Sequence, residues 1–204
     1  DTYAIGYVSL GSLNKDVKAV KVDGAEATVD TVKSGEYKVQ RPFNIATKDD
    51  VSDAAKDFIS YIMSSEGQAI IEDNGYIKVD DAAAAYAATD AKGEVKISGS
   101  SSVTPVMEKL KEAYEKVNSN ITITINQSDS STGMKDAAEG ISDIGMASRE
   151  LKDNELESGL TPLVIAMDGI AVIVNNDNPA SDISSDEIKS IYIGEIGNWE
   201  SIIK

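Results

Sequence analysis

The 204-residue chain contains neither cysteine nor histidine. Without cysteine it can form no disulfide and perform no thiol chemistry, and without either residue the usual zinc-ligand sets are excluded. The absence of histidine also removes the side chain that most often acts as an acid or base near neutral pH. These absences leave few routes to catalysis, and they favour a binding protein over an enzyme.

Basic residues are also in short supply. Nineteen lysines and arginines stand against 35 aspartates and glutamates, which gives a formal net charge of −16. Nucleic acids and anionic membrane surfaces would repel such a chain at long range, so neither is expected as a partner. A small anion is still compatible with this charge, because oriented amides and hydroxyls act within a few ångströms, whereas carboxylates beyond about 8 Å are screened.

Long apolar runs are missing as well. The longest, residues 169–174, is too short to cross a bilayer. No signal segment is recognisable, and the chain starts at Asp1, as a fragment or a processed product would. The hydrophobic content of 41% nevertheless suffices for an ordinary core.

What the sequence does contain is an alternation of strand and helix patterns after residue 93. Strands are predicted at residues 94–98, 121–126, 144–147, 161–166 and 170–174, and helices at residues 103–117, 132–139, 153–157 and 185–191. A turn is predicted at Asp168-Gly169, between the last two strands. The alternation predicts an α/β fold with a mainly parallel sheet, helices on both faces, and ligands at the carboxyl ends of the strands.

The first part of the chain is organised differently. Its patterns predict short strands at residues 3–9 and 19–22, helices at residues 28–34, 49–64 and 65–72, and an extended segment around Arg41-Pro42. Residues 79–92 are alanine-rich and show no clear apolar stripe. We predict that they form a linker.

Two hydroxyl-rich segments follow predicted strands and lead into helices. Residues 97–105 read ISGSSSVTP and residues 127–135 read QSDSSTGMK. Amides at a helix N-terminus donate hydrogen bonds to an anion, and the helix dipole favours negative charge there. From the residues alone, an ordinary serine N-cap in the first segment and a solvated loop in the second stay open. Together the two segments predict a site for a small tetrahedral anion.

A third candidate is the pair Ser148-Arg149, at the end of a predicted strand. A serine hydroxyl can donate or accept, and an arginine can add a charge-assisted hydrogen bond. The alternative for Arg149 is a surface ion pair with Glu150 or Asp153, which would contribute little.

Longer runs carry a family resemblance. The runs ISGSSSVTPVMEKLKEAYEK, QSDSSTGMKDAAEGISDIGMASRELKDNE and LTPLVIAMDGIAVIVNNDNP resemble the amino-terminal half of the phosphate-binding protein of bacterial phosphate ABC transporters. The runs AIGYVSLGSL, RPFNIATK and DFISYIMSSEGQAIIEDNGYI resemble its carboxyl-terminal half. The resemblance implies a lobe of the periplasmic-binding-protein type, completed from both halves of the chain.

The two halves stand in the reverse of the family's order, and no counterpart of its arginine and Ser-Gly-Thr stretch, which closes over phosphate from the second lobe, is present. The simplest interpretation is a segment cut from a parent with two tandem copies; natural circular permutation is the alternative. The resemblance then implies a first lobe from residues 17–78 and 93–175, with residues 79–92 as the linker. Residues 1–16 and 176–204 would be hinge strands and remnants of an incomplete second lobe.

The resemblance also implies which residues contact phosphate. Val103 would act through its backbone N–H, and Ser148 stands where some relatives have an aspartate that accepts a hydrogen bond from a protonated phosphate oxygen. Selection against fully ionised sulfate by that carboxylate is therefore not implied here. The predicted phosphate-binding residues are Ser101, Ser102, Val103, Thr104, Ser130, Ser131, Ser148 and Arg149.

The implied function is capture of inorganic phosphate outside the cell, with no catalytic residue, cofactor or metal. The partner would be the membrane permease of an ABC transporter, and the protein would be periplasmic or a lipoprotein at the outer face of the cytoplasmic membrane. Alternatives are a lobe for sulfate or molybdate, an interaction module without transport duty, and a phosphatase with a loop serine as nucleophile. Because second-lobe donors are missing, the isolated chain is predicted to bind phosphate weakly or not at all.

Overall fold

The computed structural model describes residues 1–202 and has an α/β fold. The strands are β1 (Ile5–Ser9), β2 (Lys18–Ala19), β3 (Lys21–Val22), β4 (Gln40–Thr47), β5 (Ile77–Lys78), β6 (Gly93–Ser100), β7 (Ile121–Ser128), β8 (Ile144–Ala147), β9 (Thr161–Val174) and β10 (Asp182–Ile183). The α-helices are α1 (Val29–Lys33), α2 (Asp53–Ile62), α3 (Ser65–Asp73), α4 (Thr104–Val117), α5 (Ser130–Ala138), α6 (Asp153–Glu157) and α7 (Ser185–Tyr192). Short 3-10 turns lie at Leu10–Ser12 and Trp199–Ser201.

The chain folds into two compact units. Unit 2 comprises residues 41–167, and unit 1 comprises residues 1–40 together with the chain from residue 168 onward. These bounds differ from those of the predicted first lobe. Residues 17–40 and 168–175, which were predicted to belong to that lobe, group with the chain ends, and the predicted linker, residues 79–92, lies inside unit 2. The chain passes between the units in strands β4 and β9.

The sheet of unit 2 is mixed, with the strand order β9–β4–β8–β6–β7. Strand β6 runs parallel to both β7 and β8, whereas β8 is antiparallel to β4, and β5 is antiparallel to β9. The α/β class is confirmed, but the prediction of a mainly parallel sheet is wrong. Helices α4 and α5 supply the crossovers that make β6, β7 and β8 parallel, while β4 comes from the other half of the chain and needs no such connection.

Helices cover both faces of this sheet. Ile45 and Met146 belong to a core with residues of α2 and α4, whereas their neighbours Ala46 and Ala147 pack with residues of α5. Consecutive strand residues point to opposite faces. The two groups of helices therefore lie on opposite sides, as the sequence predicted.

Helix α5 rests directly on the strands. A Cβ added to Gly133 would lie 2.5 Å from the Cα of Gly99 and 2.7 Å from the carbonyl oxygen of Ser98. A Cβ on Gly145 would lie 2.7 Å from the carbonyl oxygen of Gly133. Only glycine allows so close an approach of helix and strand backbones. The start of α5 is thereby fixed relative to β6 and β8.

Residues 79–92 form neither a helix nor a strand, but they are attached to unit 2. Tyr86 and Thr89 donate hydrogen bonds of 2.6 and 2.8 Å to the carboxylate of Asp57 on α2, which is 5% exposed. Tyr114 of α4 and Asn118, the residue that caps the end of α4, donate hydrogen bonds to the same carboxylate. The predicted linker is therefore attached through the buried carboxylate of Asp57, and the N–H groups of Val79 and Tyr86 also donate to side chains of α3.

Unit 1 is built around the second part of β9. Residues 170–174 pair with β1 in antiparallel fashion, β2 pairs with the end of β9, and β3 pairs with β10 in parallel. Asp168 and Gly169 lie within the continuous strand β9, so the predicted turn is wrong. Asp168 is fully buried and accepts a hydrogen bond of 2.5 Å from the Ser9 hydroxyl, and Gly169 packs so closely against Leu10 that a Cβ there would lie 2.3 Å from its side chain.

Unit 1 also has an exposed apolar surface. Tyr3, Tyr7 and Tyr192 are exposed, and none of the residues of helix α7 is fully buried. A cavity of ≈ 550 Å³ beside them is lined mainly by apolar residues, among them Ile191 and Trp199. Among residues 1–202, no helix is both long enough and apolar enough to span a membrane.

Candidate functional site

The three predicted segments emerge at the same edge of the sheet. Strands β6, β7 and β8 are parallel, with Ser100 opposite Ser128 and Gly99 opposite Met146. The carboxyl ends of parallel strands meet at one edge, where α/β proteins bind their ligands. The chain that follows each strand, at residues 101–104, 129–132 and 148–149, therefore begins at this common rim.

Direct contacts connect the three segments. The backbone N–H of Ser148 donates a 3.2 Å hydrogen bond to the hydroxyl of Ser130, the first residue of α5. The hydroxyl of Ser100, at the end of β6, donates to that of Ser148 at 3.1 Å. Ser130 and Ser148 are half-buried. One hydroxyl cluster thus joins residues contributed by β6, α5 and the end of β8.

The start of α4 is a tight turn around the carbonyl oxygen of Ser100. This oxygen accepts hydrogen bonds from the N–H of Val103 at 3.1 Å and from the hydroxyl of Thr104 at 3.0 Å. The N–H of Ser102 points at the Ser100 hydroxyl at 3.3 Å, and that of Ser101 donates to the Ser128 carbonyl at 3.1 Å. The Val103 N–H is therefore already engaged within the turn, and its predicted contact with an anion stays a prediction.

Other donors at the start of α4 stay available. The first turn of the helix contains no acidic residue and has no side-chain cap. Within residues 1–202, the backbone N–H of Thr104 and the hydroxyl of Ser102 have no protein acceptor. Ser102 is half-buried and Ser101 is exposed. This helix start offers an amide and a hydroxyl to a ligand at the rim.

The start of α5 is occupied by a carboxylate. Asp129 is the N-cap, so the helix begins at Ser130 and not at Thr132 as predicted. Its carboxylate accepts hydrogen bonds from the N–H groups of Ser131 and Thr132 at 2.8 and 3.1 Å and from the Thr132 hydroxyl at 2.6 Å. The Thr132 hydroxyl, followed by the two amides, lowers the pKa of Asp129 and keeps it ionised. At this helix the hydroxyl oxygens of Ser130 and Ser131 accept from Ser148 and Arg149, and their hydroxyl hydrogens stay available to a ligand.

Arg149 is paired with Glu155 from helix α6. Its two terminal nitrogens donate to the two carboxylate oxygens at 2.9 and 2.8 Å, and Glu155 is only 9% exposed. The pair raises the pKa of Arg149, and the hydrogen bonds from Arg149 lower the pKa of Glu155. Arg149 also donates to the Ser131 hydroxyl at 3.2 Å. The alternative interpretation, an ion pair of Arg149 with Glu150 or Asp153, named the wrong partner: the carboxylate that compensates the charge of Arg149 at the rim is Glu155.

Sequence reasoning missed Ser100, which lies inside the first predicted segment, and three residues outside the predicted set. Asp129 could have been found, because aspartate is as good an N-cap as serine and precedes SST. Asn44 could have been noticed as a polar residue among the apolar residues of β4; its Nδ2 donates to the carbonyl oxygen of Arg149 at 3.0 Å. Glu155 gives no signal, since nothing in the sequence pairs it with Arg149.

The arrangement is suited to holding an anion by neutral donors. Hydroxyls can donate to ionised oxygens and accept from a protonated one. No group of three or more potential metal ligands is found among residues 1–202.

The comparisons with known proteins identify the family. A family model described as a PBP superfamily domain matches residues 84–202. The phosphate-binding protein PstS 2 of Streptococcus agalactiae is 55% identical over 205 residues, which cover 100% of this chain and 70% of that protein. The chain belongs to the PstS family of phosphate-binding proteins. PstS 2 of Streptococcus pneumoniae is 47% identical over 199 residues, covering 98% of this chain and 68% of that protein.

Solved structures agree with this assignment. A phosphate ABC transporter phosphate-binding protein from Streptococcus pneumoniae matches with a TM-score of 0.87 and 46% identity, covering 99% of this chain and 78% of the other. A phosphate ABC transporter substrate-binding protein from Clostridium perfringens, solved with bound phosphate, matches 54% of this chain and 45% of its own, with 48% identity and a TM-score of 0.51. PstS proteins bind a solute for transport and are not enzymes.

Proposed function

We propose that this chain binds inorganic phosphate at the rim of unit 2. The observation that carries the proposal is the contact of the Ser148 N–H with the Ser130 hydroxyl, together with that between Ser100 and Ser148. These contacts bring three donor-rich segments to one place. The names of the relatives, phosphate-binding protein PstS 2, support phosphate as the anion.

The donors differ in kind between the segments. From α4 we assign the Thr104 N–H and the Ser102 hydroxyl, with the exposed Ser101 hydroxyl beside them. From α5 we assign the hydroxyls of Ser130 and Ser131. Ser148 and Arg149 complete the set, Arg149 by holding the Ser131 hydroxyl and by adding a charge that Glu155 compensates.

A titration of the ¹⁵N-labelled chain with phosphate tests this function. Binding shifts the amide resonances of residues 101–104, 129–132 and 148–149, with a Kd in the millimolar range because only one lobe contributes. The double substitution Ser130→Ala and Ser148→Ala removes the shifts. Ser142→Ala is the matched control, since Ser142 donates to Ser98 in the interior and not at the rim.

Two results would contradict this proposal, one its phosphate site and the other its weak affinity in the isolated chain. One is the absence of shifts at these amides in the unaltered chain up to roughly 50 mM phosphate, which corresponds to negligible affinity. The other is a sub-micromolar affinity for the monomeric chain, which would contradict the predicted need for a second lobe. Sulfate and molybdate, added at the same ionic strength, test the alternative anions.

We further propose that the order of the two halves is natural to this branch of the family. The S. agalactiae relative matches the whole chain, and less than a third of its length is left unmatched, too little for a second copy. This favours circular permutation over a tandem parent. The parent's sequence tests it: one arginine and Ser-Gly-Thr stretch on the amino-terminal side of Asp1, and none beyond Lys204, is the expected finding.

The exposed apolar surface of unit 1 supports an incomplete second lobe in this chain. Tyr3, Tyr7 and Tyr192 are aromatic residues that a complete lobe would cover. We infer that the parent completes unit 1 with chain that the relatives have and this chain lacks. Adding that chain should lower the solvent accessibility of Trp199, which acrylamide quenching of its fluorescence measures. An unchanged accessibility would contradict the inference.

In the cell we place the parent outside the cytoplasm, in the periplasm or anchored as a lipoprotein, where it delivers phosphate to the permease of an ABC transporter. The support is the description of the structural relatives as phosphate ABC transporter proteins. Fractionation of cells expressing the parent tests the location, and co-purification with the permease tests the partner.

A further inference from the structure

Asn44 is a polar residue in a strand that is otherwise buried and apolar at this point. Asn44 is 0% exposed, and its neighbours Phe43 and Ile45 are 0% and 1% exposed. A buried amide destabilises a protein unless both its donor and its acceptor find partners. In Asn44 only the donor does: Oδ1 is buried and has no hydrogen-bond partner among residues 1–202. Stability of the fold alone does not account for asparagine here.

The only hydrogen bond that the Asn44 side chain makes within residues 1–202 leads to the rim. In the antiparallel pairing of β4 with β8, Asn44 lies opposite Ala147, and its Nδ2 reaches past the end of β8 to the carbonyl oxygen of Arg149 at 3.0 Å. Ser148 lies between Ala147 and Arg149 in the chain, and it contacts Ser130 and Ser100. The side chain of Asn44 therefore fixes the backbone directly after the residue that joins the three segments.

We propose that Asn44 is the positioning residue of the phosphate site, which aims Ser148 and Arg149 by holding the Arg149 carbonyl. The inference rests on the proposed function, because it assigns a role within that site. Without this hydrogen bond the Ser148-Arg149 backbone keeps its contacts to Ser130 and Glu155 but loses the restraint on the Arg149 carbonyl, so the direction of the Ser148 N–H is less closely fixed. Donor sets tolerate little misplacement, so affinity falls even though no phosphate contact is deleted.

Asn44→Val separates this role from a structural one. Valine suits a buried strand and removes the unpaired Oδ1, so the melting temperature should equal or exceed that of the unaltered chain. The phosphate response of the residue 148–149 amides should weaken about fivefold or more. A residue that served only the fold would lower both quantities together.

Asn118→Val is the matched control in the same unit. Asn118 is 5% exposed and donates to Asp57 and to the carbonyl oxygen of Ala91, away from the rim. Its loss should lower the melting temperature and leave the phosphate Kd within about twofold. The two variants are thus expected to give opposite patterns.

Each other outcome decides against the assignment. If Asn44→Val binds phosphate within about twofold of the unaltered chain, or loses stability and affinity together, Asn44 is not a positioning residue. If the unaltered chain shows no phosphate response, the proposed function fails first and the role of Asn44 fails with it. Should Asn44→Val not fold, Asn44→Ala, which also removes the amide and adds no bulk or charge, is judged by its phosphate affinity alone.

Discussion

Two carboxylates of unit 2 have similar chemistry and different surroundings. Asp57 is buried and accepts hydrogen bonds from Tyr86, Thr89, Tyr114 and Asn118, which come from separate parts of the chain. Asp129 is exposed and takes its donors from the first turn of its own helix. Both have a lowered pKa in the folded protein.

The origin of the donors decides what each carboxylate does. Burial alone would raise the pKa of Asp57, and the hydrogen bonds led by that from Tyr114 reverse this effect. Asp57 therefore holds tertiary structure together, including the segment 79–92. Asp129 organises a helix start, and we expect its replacement to affect only the rim. Glu155 is intermediate, since it binds Arg149 and the Lys152 backbone a few residues away.

The largest effect is expected for Asp57→Asn. The amide is a weaker acceptor and turns two N–H groups toward donors that need an acceptor, so the free energy of unfolding should fall by about 3 kcal/mol. Urea unfolding measures it. Asp53→Asn on the same helix is the control, because that side chain is 95% exposed. A loss below about 1 kcal/mol for Asp57→Asn would remove the distinction between the two carboxylates.

A smaller effect is expected for Glu155→Gln. Arg149 then loses an ionised, nearly buried acceptor for two hydrogen bonds, and the free energy of unfolding should fall by about 2 kcal/mol. Glu157→Gln, on the exposed side of the same helix, should leave it unchanged. Equal unfolding curves for the two variants would show that the Arg149 pair is not formed in solution.

For Asp129→Asn we expect a slight change in stability and a gain in binding. Asparagine still caps the helix, but the negative charge next to the anion is gone. The phosphate Kd of the chain should tighten about threefold, measured by the amide titration, because like-charge repulsion at short range is removed. Asp136→Asn, near the other end of α5, should have no effect. Weaker binding in Asp129→Asn would instead make the carboxylate an acceptor for a protonated phosphate oxygen.

The smallest effect concerns pH. Asp57, Glu155 and Asp129 all have a lowered pKa in the folded state, so their stabilisation is complete above the unfolded values of about 4 and is lost as the pH falls through the folded values. With no histidine present, the urea midpoint should be flat between about pH 5.5 and 7 and fall only below about pH 4. In Asp57→Asn the urea midpoint should fall less steeply below about pH 4. A midpoint that changes above about pH 5.5 would reveal a titrating group with a raised pKa.

Local patterns predicted much of this structure. Strand β8 and helix α6 have the predicted bounds, because a short apolar run and a helix start flanked by polar residues are local signals. The common rim followed from alternating strands and helices. The start of α5 was misplaced because Asp129, Ser130 and Ser131 can all cap a helix, and only the observed hydrogen bonds distinguish them.

Long-range pairing was the part that the sequence could not supply. The antiparallel contact of β4 with β8 joins residues about a hundred positions apart, and it makes the sheet mixed and brings Asn44 to the rim. Strand β9 continues through Asp168 because that residue is buried inside unit 1. An aspartate-glycine pair in a sequence usually indicates a turn instead. The Arg149–Glu155 pair likewise depends on how α6 packs beside the rim.

The glycine contacts beneath α5 limit how the receptor can diversify. Since Gly133 touches Gly99 and Gly145 touches Gly133, backbone meets backbone with no side chain that could be trimmed or enlarged. Evolution or a protein engineer could therefore retune which oxyanion is preferred by exchanging rim side chains such as Asp129 or Ser102. The scaffold underneath would stay the same for every such descendant.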